Sequence, residues 1–415
     1  MSMDTIFQTL QRRSEEMPFH QVKHWQPFKI DALGLVTLLG AEEVNQSIGT
    51  LQRRRYTEYL PLLAAFLVAG DRFTDEQAGY SLYNLTDGIH TTELKGWFTR
   101  WLSTQKLENS STSIFTWEVT QDASGAAWNL VALALSIVTV APLLVFTILI
   151  GDWFGVGNSI AIITSIMVRV FLLSQRRRAV ELAAARDFKA DQEEIKKLFV
   201  TRADGAMVTI YAPKTVVGTF TRDSGVPDPD LYHFVRWIGW AAFGAHICIL
   251  GMSSLFTQIY TVALLVISTW WLCSDLLWDV GRKVEVRDGA ADNWPSEFIT
   301  SQPFGSKLKV VQENPVKTRE GRGRRLWAYV RAEPNEEQEA MLKHWTLLPF
   351  EYNKPWYGEY EDAKKQYASA KKSSAEAKKI YGKDEEGSSE KTVVQTTTQP
   401  QGRTSSESAR PGATQ

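Results

Sequence analysis

The chain has 415 residues, and its 46 Lys and Arg against 47 Asp and Glu leave a formal net charge of -1. That balance excludes the whole-chain basic excess of a protein built mainly to hold nucleic acid, and two cysteines, both inside apolar runs, exclude a disulfide framework. The mean hydropathy of -0.21 looks soluble only because apolar and charged stretches are averaged together.

In chain order, Met1 to Arg13 has charges and polar residues where a secretory signal needs a continuous apolar core. Residues 1–122 read as a hydrophilic, mainly helical domain. Within it, Tyr59–Ala69 is apolar but too short to span a bilayer, and is expected as a buried helix. Leu94, Trp97, Phe98, Trp101 and Leu102 recur at i, i+3, i+4, i+7 and i+8 and define one apolar helix face. Two readings of that face stand: packing into the domain core, or an interfacial helix with Trp at headgroup depth.

Ala123 to Gly151 is free of charge, and Trp153 to Gln175 is broken only by Arg169. Between Arg236 and Asp275 lie thirty-eight residues without Asp, Glu, Lys or Arg, ~57 Å as one helix and nearly twice a bilayer core. The last stretch must fold back on itself and the first two make another helical pair, which predicts an α-helical membrane protein with four transmembrane helices in two hairpins. The first hairpin covers 123–175, with a turn at Gly151 to Asn158 and Pro142 inside its first span. The second covers 232–280 and turns near Ser253 and Ser254.

Between the hairpins, 176–231 reads as a helical stalk and a small β-meander, with runs at Leu198–Thr201, Met207–Tyr211 and Val216–Thr221. Region 281–369 is mixed, with strands expected at Lys307–Val311 and Leu326–Arg331 and a helix at Glu336–His344. The soluble regions are thus α/β-mixed. From Ala370 onward Lys, Glu, Ser, Thr, Gln and Gly dominate, and the tail 370–415 is expected to be disordered.

Arg176, Arg177 and Arg178 follow the second span and Arg282, Lys283 and Arg287 follow the fourth, whereas both hairpin tips lack Lys and Arg. Positive charge collects on the cytosolic side. Both termini and the 176–231 region are therefore expected there, and the sequons at Asn45, Asn84 and Asn109 should stay unglycosylated.

Polar residues inside the spans are the candidate site, since each must find a partner or water. Arg236 and Asp275 flank the second turn at comparable distance and are candidates for an ion pair, either coupling or merely fixing register. Arg169 lies seven residues before Arg176 and is expected to snorkel. His246 is either a proton relay or ligand-binding group, or a neutral imidazole bonded to a neighbouring Thr261 or Ser268. Asn129 completes this set. Lys317, Arg319, Arg322, Arg324 and Arg325 form a basic patch suited to anionic lipid. His20 and His24 share i, i+4 spacing but lack a third ligand, so no metal or other cofactor is expected. No P-loop, nucleophile elbow or zinc-protease helix is present. Trp128, Trp153, Trp237, Trp240, Trp270, Trp271 and Trp278 fall near span ends as an aromatic belt.

The Trp-rich hairpins around the meander, with Val235-Arg236-Trp237-Ile238-Gly239-Trp240-Ala241-Ala242-Phe243-Gly244, resemble multi-pass membrane proteins of filamentous fungi with no assigned function. That resemblance covers the middle third and implies no activity. The residues themselves favour a non-enzymatic scaffold that engages the bilayer, anionic lipids and protein partners or a second copy of itself, with no nucleic acid. The alternative is a transporter or channel subunit using His246, Asn129 and the Arg236/Asp275 pair.

Overall fold

The structure is a computed structural model that describes residues 41–52, 56–62, 68–105, 112–119, 126–186, 194–279, 298–304, 308–314 and 325–389. Its elements in chain order are α1 (Ala41–Gly49), β1 (Ser81–Asn84), β2 (Ile89–Thr91), α2 (Gly96–Thr104), β3 (Thr112–Val119), α3 (Ala126–Ile150) and α4 (Trp153–Ala185). Then follow β4 (Ile195–Thr201), β5 (Met207–Pro213), α5 (Lys214–Thr221), α6 (Pro229–Met252) and α7 (Leu255–Asp279). The last are β6 (Phe298–Phe304), β7 (Leu308–Asn314), α8 (Arg325–Ala332), α9 (Glu336–His344) and α10 (Lys354–Ser389).

Four helices, α3, α4, α6 and α7, are long and apolar enough to cross a membrane. Their outward faces are strongly apolar: Leu130, Val138, Met167, Trp237 and Trp270 are each more than 60% exposed. An apolar belt of this kind is not left to water by a soluble monomer. Helix α3 runs through Pro142. Helix α4 begins at Trp153, inside the expected turn of Gly151 to Asn158, because Asp152 caps it by accepting a hydrogen bond from the Gly155 N–H (2.9 Å). It then continues past the arginines to Ala185, forming the expected stalk.

The soluble regions come together in one seven-stranded mixed sheet of order β2-β1-β4-β5-β3-β7-β6. Every neighbouring pair is antiparallel except β3 and β5, which run parallel with Thr112 opposite Met207 and Thr116 opposite Tyr211. The chain leaves this sheet after β3 and after β5, each time through a pair of long helices, and returns to it. All three polar segments are therefore gathered at the end of the helices opposite the Gly151–Asp152 and Ser253–Ser254 turns.

The sheet's main core is aromatic. Phe98 stacks on Phe220 (4.2 Å between centroids), and Trp101 meets both Phe115 (5.2 Å) and Trp117 (5.0 Å). The apolar face at Leu94, Trp97, Phe98, Trp101 and Leu102 is thus buried inside the domain, which settles its two readings in favour of the core. The same cluster includes Val168, Leu172, Leu173, Val180 and Ala184 of α4 and Leu272 of α7. Packing of the sheet is continuous with packing of the helices.

Several local expectations differ. Val216–Thr221 is helical as α5, because Pro213 ends β5 and a helical turn puts Val216 and Phe220, four residues apart, into the core. Leu326–Arg331 belongs to α8, where Leu326, Tyr329 and Val330 at i, i+3 and i+4 cover a second cluster with Phe199 and Met207. In the apolar stretch at Tyr59–Ala69, Tyr59 and Leu60 lie in a turn and Val68 and Ala69 are helical and buried; residues 63–67 lie outside the described set. The region 1–122 carries β1, β2 and β3 beside its helices. Helix α10 runs on to Ser389, into the stretch where a disordered tail is expected, and residues beyond it are not among those described. Helix α9 begins and ends as the sequence predicts, fixed by a reciprocal capping box between Asn335 and Gln338.

Candidate functional site

Two polar layers hold the long helices, one beside the turns and one where the helices meet the sheet. At the turns, Gly151 takes φ 76°, a conformation open to glycine at no cost, and delivers Asp152 between the two hairpins. Asp152 is 3% exposed. Its Oδ1 accepts from the Gly155 N–H, while its Oδ2 accepts from the Ser254 N–H (2.8 Å) and the Thr257 hydroxyl (2.8 Å). One carboxylate thereby caps α4 and ties the tip of the first hairpin to that of the second. Gly155 is required by close approach: a Cβ there would fall 2.8 Å from Asp152 Oδ2 and 2.9 Å from Thr257 Oγ1.

About 9–10 Å below the turns, at 1.5 Å per helical residue, His246 of α6, Asn158 of α4 and Thr261 of α7 meet. His246 Nδ1 lies 2.6 Å from Asn158 Oδ1, and Asn158 Nδ2 donates to Thr261 Oγ1 (3.0 Å). A carboxamide oxygen only accepts, so Nδ1 carries the proton. His246 is thus bonded as the bland reading expects, but through Asn158 and not directly to Thr261, and it sits nearer the turns than mid-span. Asn158 and Thr261 are wholly buried and His246 nearly so. These groups join three helices by neutral hydrogen bonds, the arrangement by which polar residues fix helix packing in apolar surroundings.

The second layer lies at the sheet end. Asp71, in the left-handed conformation (φ 59°), receives Arg236 Nη1 (3.0 Å), Arg176 Nη2 (3.4 Å) and the Tyr232 hydroxyl on its carboxylate. Arg236 Nε also donates to the Ala69 carbonyl (2.7 Å) and Arg176 Nε to Tyr232 Oη (3.2 Å). Arg236 is therefore anchored by the segment before β1, across from α6. The Asp275 side chain is outside the described residues.

Arg169 does not snorkel. Its Nη2 donates to the carbonyls of Glu58 (2.8 Å) and Leu60 (2.6 Å), and it is 4% exposed. One turn beyond Leu173, Arg177 grips the same segment with a forked pair on Glu58 (2.5 and 3.2 Å) and further bonds to the Leu51 and Gln52 carbonyls (2.6 and 3.0 Å). Leu51 has φ 56°, costly for a branched side chain, and Arg177 holds the very carbonyl that this conformation presents. Gly239 admits the segment from the other side, since a Cβ there would stand 3.0 Å from Val168 Cγ1 and 3.2 Å from the Ala69 Cβ.

Asn129 lies on α3 with its side chain outside the described set, as are Lys317, Arg319, Arg322 and Arg324; Arg325 opens α8 and is exposed. Among the described residues no group of three or more His, Cys, Asp or Glu could hold a metal ion. Reading the sequence missed Asp152, Asn158, Asp71, Glu58, Tyr232 and Arg177 as site members. One of them carried a signal: Asp152 is the sole carboxylate between Asp122 and Glu181. No family model, no curated protein and no solved structure matches the chain.

Proposed function

We propose that the chain is a four-span integral membrane protein that acts as a non-enzymatic scaffold, presenting one sheet domain on the cytosolic face. The observation that carries this reading is the single sheet built from all three polar segments, with the chain just before β1 bolted to α4 and α6 by Arg169, Arg176, Arg177 and Arg236. Such a design spends its charged groups on holding a rigid platform to the bilayer. The polar groups near the turns, Asp152, Asn158, His246, Thr257 and Thr261, are bonded to one another, which supports packing over transport. Arg176 to Arg178 at the sheet end support the cytosolic assignment. The platform would engage protein partners or a second copy of the chain, and the basic stretch from Lys317 to Arg325 anionic lipid.

The test is isolation of the full chain in native lipid patches, with mass spectrometry of what accompanies it and a flux assay on the His246→Ala variant. A stoichiometric protein partner and unchanged flux are expected. Loss of a measured flux at normal abundance would replace the scaffold by a transporter subunit.

Topology has its own readout. Asn84 is 5% exposed and its side chain bonds Asp87 and the Thr86 and Asp87 N–H groups, so a glycan there is incompatible with the fold. Asn45, Asn84 and Asn109 should all remain bare in expressed protein. An endoglycosidase-sensitive mass shift removed by Asn→Gln replacement would reverse the assigned sides.

A further inference from the structure

A cavity of about 120 Å³ opens between α4, the start of α2 and the residues after α5, bordering the sheet-end polar layer at Arg176. Its polar wall is formed by Lys95, Arg176, Arg222, Asp223 and Ser224. The volume is about four times a water's share of liquid, which admits a tetrahedral oxyanion and the first atoms of whatever carries it.

Three cations from three separate elements face this space, and they differ in how firmly they are engaged. Arg176 is held in place by Tyr232 and Asp71, with its pairing to the 73% exposed Asp223 long at 3.8 Å. Lys95 pairs with Glu76 at 2.9 Å, but that carboxylate is half exposed and the pair is screened by water. Arg222 is exposed and its side chain has no hydrogen bond or ion pair among the described residues. The opposing carboxylates, Asp71, Glu76 and Asp223, are thus shared, screened or turned outward, and Asp71 also serves Arg236. The first turn of α2 adds the positive end of a helix whose N-cap, Lys95, makes no side-chain capping bond.

We propose that this cavity binds a phosphate group, carried either by an anionic lipid headgroup or by a small soluble molecule. Two or three cations converging on one small space suit the multiple oxygens of phosphate better than a single carboxylate. Depth makes a lipid source physically accessible. Counting 1.5 Å per residue from Trp153, about twenty residues of α4 cross a ~30 Å core. Arg176 and Val180 then lie ~4 to ~11 Å beyond it, at the headgroup layer and its outer edge. The lipid source rests on the bilayer placement proposed above, whereas the phosphate site itself does not.

The experiment uses the full chain in neutral detergent, titrated with inorganic phosphate by calorimetry, and the same protein offered phosphatidic acid or phosphatidylcholine in native mass spectrometry. Saturable binding of inorganic phosphate supports the site with a soluble ligand; retention of phosphatidic acid over phosphatidylcholine supports it with a lipid. In either arm Lys95→Ala/Arg222→Ala should weaken binding at least tenfold, and Asp223→Asn should tighten it severalfold by removing an opposing charge. Neither substitution touches a core contact, so unfolding midpoints should match the wild type. Absence of saturable binding in both arms, or equal binding by the double variant, overturns the proposal. Failure of the bilayer placement alone would leave the inorganic phosphate arm intact.

Discussion

Replacing Asp152 by alanine is expected to destabilise the helical bundle by about 2–4 kcal/mol, the largest effect of any single change near the turns. Three donors converge on this carboxylate, two of them backbone N–H groups of Gly155 and Ser254. Hydrogen bonds to a charged group contribute about 1.5–3 kcal/mol each, and orphaned buried donors keep their desolvation cost. The bonds are not additive, because losing the first loosens the turn that holds the others. Asp152→Asn should be nearly as damaging: a carboxamide offers one acceptor oxygen and would direct its NH2 at donors that Oδ2 now satisfies. Thr257→Val removes one donor and should cost about 1 kcal/mol. Graded unfolding in mixed micelles, followed by circular dichroism, reads all three. An Asp152→Ala variant within about 0.5 kcal/mol of wild type, the range of an ordinary surface change, would mean that the two tips are not clasped by this residue.

The order expected from these variants depends on geometry that a linear reading reaches only in part. Charge-free runs disclose the four spans because a bilayer-length apolar helix needs about twenty consecutive residues, and the second turn falls at Ser253–Ser254 as the sequence implies, while the first is confined to Gly151–Asp152 where a turn through Asn158 is expected. Pairing between distant segments is another matter. Nothing in Thr112–Val119 announces that it will lie parallel to Met207–Pro213, since two spans and a strand intervene and strand residues carry no label for their partners. For the same reason Arg236 invites pairing with Asp275, its neighbour in one hairpin, while Asp71 stands 165 positions away and is brought up only by the fold. His246 is legible as an anomaly in an apolar run; Asn158, which satisfies it, reads as one more turn residue. The short runs of β-branched and aromatic residues at Val216–Thr221 and Leu326–Arg331 mislead because strand preference in six residues is weaker than the burial gained by an i, i+4 pair such as Val216 and Phe220.

The second large effect is expected at the sheet end. Arg177 and Glu58 are 6% and 8% exposed in their side chains and form a forked pair. Such a pair, compared with a well-packed apolar substitute, adds little net stability, but removal of one partner strands the other and costs about 3–5 kcal/mol. Arg177→Met should therefore be severely destabilising, since it also releases the Leu51 and Gln52 carbonyls and with them the restraint on the left-handed Leu51. Arg177→Lys keeps the charge but cannot span Glu58 and two carbonyls with one ammonium, and should fall between Arg177→Met and wild type. The decisive variant is Glu58→Gln/Arg177→Met. With the Glu58 charge removed as well it should recover part of the loss, while the carbonyl contacts stay broken and Arg169, buried beside Glu58, keeps only its two backbone carbonyls. Amide hydrogen exchange should separate the two contributions: residues 48–52 and 56–62 are expected to lose protection in both Arg177→Met and the double variant, whereas global unfolding should be restored only in the latter. If the double variant were no more stable than Arg177→Met, the stranded charge would not be the cause, and the arginine's hold on the backbone of residues 51 and 52 would account for the whole effect.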